Sequence, residues 1–209
     1  MEIVKIENLL PEKIVKILSG GGIVVFPTDT VYGILGNATS GEVVSKIFAL
    51  KKRSTGKAFP IFVKNITEAR KFAYISDAKA KFLERVWPGP ITAVFNHKEK
   101  LPTILTGGMD TVGMRIPDHT LLLDILSRLD FPLLQTSANL SGLAPAKTAK
   151  EAEDYFKDSE MKPDLVVDGG EIAGSASAVV DFTETIPRVL RTGIISKEKL
   201  EQLMRSLDQ

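Results

Sequence analysis

A chain of 209 residues with 44% hydrophobic and 25% charged side chains has apolar material for one sizeable core, and 27 Lys and Arg against 26 Asp and Glu leave a net charge of +1. With so even a balance, any preference for anions must come from local clustering, and a dedicated nucleic-acid coat is disfavoured. The absence of cysteine and the presence of only two histidines argue against a zinc site, and with no signal-type N-terminus and no apolar run near the roughly 20 residues that span a bilayer, the expectation is a cytoplasmic protein.

Strand-type and helix-type patterns alternate along the chain. Ile23 to Phe26 form a short β-branched and aromatic run suited to a sheet covered on both faces, and Pro27, which lacks a ladder donor, predicts that pairing ends there. Thr28, Asp29, Thr30 and Tyr32 then fall at a strand's carboxyl end, where open α/β sheets bind ligands; the plainer alternative is that they satisfy a turn. Thr39 and Glu42 have capping-box spacing ahead of a helix whose apolar face is Val43, Val44, Ile47, Phe48 and Leu50, and Lys51 to Lys57 follow as a loop. Ala58 to Val63 predict a strand, Asp77 to Trp87 a helix beginning near Ser76, and Trp87 to Pro90 a turn into the strand Ile91 to Phe95. In the strand Thr111 to Ile116, the period of two points Val112, Met114 and Ile116 to one face and Arg115 to the other. A helix over His119 to Leu129 and a strand over Pro132 to Gln135 lead into a second polar turn, Thr136 to Gly142. Thr148 with Glu151 caps the next helix, short strands follow near Leu165 to Val167, Ala178 to Phe182 and Arg188 to Arg191, and a last helix carries Leu200, Leu203, Met204 and Leu207 on one stripe. No linker, low-complexity tract or repeat divides residues 1–209, so one α/β domain with mixed strand directions is expected.

Several common catalytic devices are missing: there is no Walker-type phosphate loop, Gly-x-Gly-x-x-Gly fingerprint, Gly-x-Ser-x-Gly elbow or His-Glu-x-x-His helix. A Ser-His-Asp triad on His119 is disfavoured because Asp118 adjoins it at a helix start, where Asp more often caps. What remains is cations and hydroxyls in loops. Lys51, Lys52, Arg53 and Lys57 could wrap a polyphosphate and neutralise charge on a displaced phosphoryl group, or could be a solvated helix end favoured by the dipole. Ser137 and Asn139 could bond a nucleotide or close their own turn, and Arg115 could clamp a carboxylate or pair with a nearby acid. The stretches 174–177 and 191–193 repeat the theme of small polar residues or a cation at a strand end.

Taken together, Phe26-Pro-Thr-Asp-Thr-Val-Tyr-Gly33, Lys51-Lys-Arg53 with Lys57, Trp87-Pro-Gly-Pro-Ile-Thr92, Val112-Gly-Met-Arg-Ile-Pro117, Ser137-Ala-Asn-Leu-Ser-Gly142, Asp168-Gly-Gly170, Ser177-Ala-Val-Val-Asp181 and Leu190-Arg-Thr-Gly193 resemble, in family order, the threonylcarbamoyl-AMP synthase family with its YrdC-like domain. The resemblance spans about residues 12 to 204 and is to the short form, without a further C-terminal domain. It implies a single-domain twisted mixed β-sheet flanked by helices around an open concave cleft. It also implies a reaction in which L-threonine is carboxylated by bicarbonate or carbon dioxide, the carbamate attacks the α-phosphorus of ATP, and pyrophosphate leaves with Mg²⁺. The product, threonylcarbamoyl-AMP, serves tRNA modification. By resemblance Lys51, Arg53 and Lys57 grip the phosphates and act catalytically, and Thr30, Arg115 and Ser177 hold threonine. Ser137, Asn139, Thr148 and Arg191 lie on the nucleotide side, and no protein side chain is assigned to a metal. The implied partners are ATP, L-threonine, bicarbonate and a downstream transferase complex, with weak tRNA or RNA binding left open and no membrane. The alternative is a paralogue of the same fold that binds nucleotide or RNA without this activity, against which the joint presence of the basic loop and the amino-acid clamp speaks. The chain departs from the family pattern at Gly33-Ile-Leu35, Ala58-Phe59 and Ala178, departures that bear on the amino-acid pocket and not on the phosphate cations.

Overall fold

The apolar run before Pro27 becomes an inner strand, and the chain then folds straight back on it. The computed structural model describes residues 1–204, so Leu207 of the expected last stripe lies outside the described residues. The chain opens with β1 (Glu2–Lys5), a 3-10 turn at Ile6–Asn8, α1 (Pro11–Ser19), β2 (Val24–Pro27), β3 (Tyr32–Asn37) and α2 (Gly41–Leu50). Next come β4 (Ile61–Phe62), α3 (Ile66–Phe72), α4 (Asp77–Val86), β5 (Ile91–Asn96), α5 (Thr103–Thr106), β6 (Thr111–Arg115) and α6 (Thr120–Ser127). The remainder is β7 (Leu133–Ser137), α7 (Ala149–Phe156), β8 (Leu165–Asp168), β9 (Ala178–Asp181), β10 (Arg188–Arg191) and α8 (Lys197–Met204). The strands form one ten-stranded sheet in the order β1-β8-β2-β3-β7-β4-β6-β5-β9-β10. Directions are mixed: β2 and β8 run parallel, for instance, whereas β3 is antiparallel to both β2 and β7.

Local chemistry explains where the sequence expectations hold and where they shift. Pro27 is the last paired residue of β2, opposite Tyr32, so the polar residues after it form a hairpin turn and Tyr32 already belongs to the returning strand. The strand expected over Ala58 to Val63 contracts to Ile61–Phe62 because Phe59 donates its N–H to the Leu105 carbonyl and Pro60 has none to give. Ser40, and not Thr39, caps α2 by accepting from the Val43 N–H, while the Thr39 hydroxyl is turned to the Asn37 side chain. His119, and not Asp118, caps α6 by accepting at Nδ1 from the Leu122 N–H. The caps at Ser76 and Thr148 stand as expected.

Register decides which residues share a face, because partners across a ladder point the same way. Val24 pairs with Leu35, Leu35 with Gln135, Leu133 with Phe62, Phe62 with Arg115, Gly113 with Val94 and Thr92 with Val179, so these side chains line one face of the sheet. The opposite face carries Val25, Ile34, Leu134, Ile61, Met114, Ala93 and Val180 and is covered by α2, α3, α4, α7 and α8, which supply Ile47, Ala69, Phe82, Phe156 and Leu200 to the larger core. On the first face, α1 and α6 bury Val24, Phe26, Leu35, Phe62 and Leu133 beneath Ile14, Leu18, Leu122 and Ile125. That cover stops near Phe62. The face is open over the carboxyl end of β7 and over β6, β5 and β9, and this uncovered part is where a cavity forms.

Candidate functional site

The cavity encloses about 420 Å³, within the range of small-molecule sites. Its floor is the alternate residues of the open face: Thr92 and Val94 from β5 and Thr111, Gly113 and Arg115 from β6. Gln135 and Ser137 of β7 stand on one side, Ser177, Val179, Leu190 and Arg191 of the β9–β10 edge on the other, and Arg53 and Phe59 come in from the loop after α2. Thr30 closes it from the β2–β3 turn. Of the residues the sequence singles out, Thr30, Arg53, Arg115, Ser137, Ser177 and Arg191 therefore meet at one place.

Arg115 is 2% exposed and its guanidinium is divided among separate partners. Nε donates to the Gly89 carbonyl at 2.8 Å, Nη1 to Thr30 Oγ1 at 3.1 Å, and Nη2 to Asp29 Oδ2. The same Asp29 oxygen accepts from the Asp118 N–H at 3.2 Å, tying the hairpin turn to the start of α6. Burial lowers the Arg115 pKa, and the Asp29 carboxylate opposes that shift. Of the two alternatives for Arg115, pairing with an acid is the one seen, although the side chain still faces the cavity. Thr30 Oγ1 also lies 3.0 Å from Thr28 Oγ1, which itself donates to the Val31 carbonyl, so the turn hydroxyls serve the turn and the site together.

Across the floor, Ser177 Oγ is 2.9 Å from Thr92 Oγ1, and Arg191 donates from Nε to the Ser177 carbonyl at 3.1 Å. Close backbone approach makes this corner. A Cβ on Gly174 would meet the Thr30 carbonyl oxygen at 2.0 Å, and one on Gly193, where φ is +61°, would meet the Ala176 oxygen at 2.3 Å. Tyr32, whose hydroxyl accepts from the Gly169 N–H and donates to the Gly170 carbonyl, anchors the other end of the 169–177 segment. Arg53 donates to the Ala58 carbonyl at 3.0 Å and stacks over the Phe59 ring at 4.6 Å, and burial lowers its pKa.

Four sequence candidates lie outside the lining. Lys51 is 2% exposed, and its ammonium donates to the Ser137 carbonyl at 2.5 Å, the Asn139 carbonyl at 2.8 Å and Asn139 Oδ1 at 3.2 Å. Burial, with the Arg53 charge adding to it, brings the Lys51 pKa down to about 7. Asn139 Nδ2 donates to the Leu140 and Leu143 carbonyls, so Lys51 and Asn139 brace the turn that presents Ser137. Thr148 is occupied as the α7 cap, accepting from the Glu151 N–H at 3.1 Å, and Lys57 is exposed on the loop. Sequence reasoning missed Thr92, which ends the Trp87-to-Thr92 motif, and did not name Asp29 as the acid for Arg115. Two departures from the family pattern are not in the pocket at all: Leu35 packs under α1 and Ala178 in the larger core, whereas Ala58 and Phe59 do line the cavity.

A family model described as "Telomere recombination", covering Sua5, YciO and YrdC proteins, matches residues 16–193. The chain belongs to this Sua5/YciO/YrdC family. It is 34% identical to the threonylcarbamoyl-AMP synthase of Pyrococcus abyssi over 97% of its own length and 60% of that protein's. It is 32% identical to a putative threonylcarbamoyl-AMP synthase of Methanocaldococcus jannaschii over 95% of its own length and 96% of the relative's. The crystal structure of P. abyssi Sua5 complexed with L-threonine superposes with a TM-score of 0.89 at 32% identity, covering 97% of this chain and 61% of that one. The chain thus spans about 60% of the P. abyssi relative. No helix among the described residues is long and apolar enough to cross a membrane, and no group of three or more His, Asp or Glu among them is placed to hold a metal.

Proposed function

We propose that this chain makes threonylcarbamoyl-AMP and pyrophosphate from L-threonine, bicarbonate and ATP, for threonylcarbamoyladenosine modification of tRNA. The observation that carries the proposal is convergence: separate turns and strand ends bring Thr30, Arg53, Arg115, Ser137, Ser177 and Arg191 to one cavity that contains no activated Ser or Cys nucleophile. Such a site suits a reaction that needs positioning and charge stabilisation without a covalent enzyme intermediate.

In this reading the amino acid lies over β5 and β6, its carboxylate on Arg115 and its hydroxyl near the Ser177 and Thr92 hydroxyls, while the triphosphate runs toward Arg53 and Arg191. Lys57, exposed on the Arg53 loop, closes on the outer phosphates. The threonine ammonium first gives up a proton, and the neutral amine then adds to the carbon of bicarbonate with loss of water to form the carbamate. A carbamate oxygen then attacks the α-phosphorus, and the bond to the bridging oxygen breaks to release pyrophosphate. Mg²⁺ enters with ATP as part of the substrate and shields the phosphate charge. The forked guanidinium of Arg53, braced on Phe59, is placed to take up charge that grows on the departing group. Lys51 supports the chemistry from behind, through the Ser137 turn. Incubation with ATP, Mg²⁺, L-threonine and isotopically labelled bicarbonate should yield an adenylate carrying the label in its carbamoyl carbon by mass spectrometry. An unlabelled adenylate, or none, contradicts the proposal.

A further inference from the structure

Three arginines line the cavity, and they differ in one respect. Arg53 donates to a carbonyl and Arg191 to the Ser177 carbonyl and hydroxyl, and neither has a carboxylate within ion-pair distance among the described residues. Arg115 alone is paired with an acid, Asp29. Asp29 is the carboxylate in ion-pair contact with Arg115, and the Asp118 charge acts on it more weakly. Asp29 Oδ2 takes the Arg115 and Asp118 donors, while Asp29 Oδ1 is buried with no hydrogen-bond partner among the described residues, and burial favours the neutral form of His119, the other titratable group that the Asp29 charge acts on. Asp29 is also outside the cavity lining, so it touches Arg115 from behind the wall. The cavity consequently has two electrostatically distinct ends: two uncompensated guanidiniums, and one whose charge is already balanced but whose N–H groups are fixed in direction by Gly89, Thr30 and Asp29.

Resting on the synthase reading and deepening it, we propose that Asp29 is a positioning and specificity-determining residue that divides the cavity between its anionic ligands. By neutralising Arg115, it makes that residue a poor partner for a polyphosphate, whose binding scales with net positive charge. By holding the fork in one orientation, it keeps Arg115 a good partner for a single planar carboxylate, which is recognised by geometry as much as by charge. Triphosphate and pyrophosphate are thereby directed to Arg53 and Arg191, and the amino-acid end stays vacant for its own ligand. Without Asp29, a bare and mobile Arg115 would attract the phosphate chain into the amino-acid end.

The test uses the whole chain and direct titration calorimetry, with inorganic pyrophosphate and L-threonine as separate probes. In the unmodified protein, saturating threonine should leave pyrophosphate affinity unchanged, since the two occupy different ends; mutual exclusion would overturn the proposal without any variant. In Asp29→Asn, which keeps side-chain shape and removes charge, pyrophosphate should bind tighter by on the order of tenfold and become competitive with threonine, while threonine weakens by a similar factor. In turnover, the KM for threonine should rise more than kcat falls, and Asp29→Glu should restore the exclusion of pyrophosphate better than Asp29→Asn. A purely structural role for Asp29 predicts equal weakening of both probes along with a lower melting temperature, and that pattern would overturn the proposal. Because pyrophosphate binding is read without catalysis, a protein that failed to form the adenylate yet showed the Asp29→Asn shift would refute the synthase reading and leave this inference standing.

Discussion

Arg115 does two jobs with one guanidinium, pairing with Asp29 on its buried side and facing the cavity on the other. Truncating it to Ala should weaken threonine binding by roughly 1.5 to 3 kcal/mol, the scale of a charge-assisted hydrogen bond, and leave ATP binding nearly untouched. The same change strands a buried carboxylate, so the melting temperature should fall as well, whereas Arg115→Lys keeps the charge and isolates the loss of the fork. Calorimetry showing lost ATP affinity with intact threonine affinity would reverse the assignment of the two ends. Lys51 makes a different forecast. Its folded pKa of about 7 lies below the unfolded value near 10.4, so between those pH values the unfolded chain holds a proton that the folded chain has released. Stability attributable to Lys51 should then rise with pH across that window, by up to about 1.4 kcal/mol per unit, and be lowest below pH 7. Unfolding of the protein and of Lys51→Met compared from pH 7 to 10 should diverge in that direction; parallel curves would show that the buried ammonium stays charged.

At the scale of elements, β9 shows how a one-residue step changes the meaning of a sequence departure. Ala178, a departure from the family pattern beside Ser177, reads from sequence as bearing on the amino-acid pocket, yet the register with β5 sends Ala178 to the fully buried core and Val179 to the cavity floor. Ala178→Thr should therefore cost stability, on the order of 1 kcal/mol or more from overpacking, with no change in threonine KM, whereas Val179→Ala should raise that KM. A changed KM in Ala178→Thr would mean that the register is wrong. This is also where the sequence was least legible. The strand Thr111–Arg115 and the helix Gly41–Leu50 were visible because their apolar periods are clean, and Asp77–Val86 and Ile91–Asn96 because Ser76 and the Trp87-to-Pro90 turn mark where they start. β3 was not, because Gly33 and Gly36 dilute its pattern, and α5 was too short to show a period. Arg115's direction followed from alternation alone, but its partner Asp29 lies 86 positions away, and only the fold brings the two together. Similarly, the triple contact of Lys51 with the Ser137 turn joins segments 86 and 88 positions apart, so a residue that reads as a loop cation is in fact a buried brace.

For the molecule as a whole, the decisive feature is a sheet face half covered by α1 and α6 and half left open, with cations arriving at the open half from the loop after α2 and the edge strand β10. If Arg53 acts on the phosphates there, Arg53→Ala should lower kcat on the order of 10²-fold to 10³-fold with little change in melting temperature, and Arg53→Lys should recover only part of it. Near wild-type turnover in Arg53→Ala would return the loop to the solvated surface. The most direct measurement is pyrophosphate release from ATP and Mg²⁺, with L-threonine and bicarbonate supplied together and omitted one at a time. Release that requires both is the predicted result; release that continues unchanged in buffer stripped of bicarbonate would contradict adenylation through a carbamate.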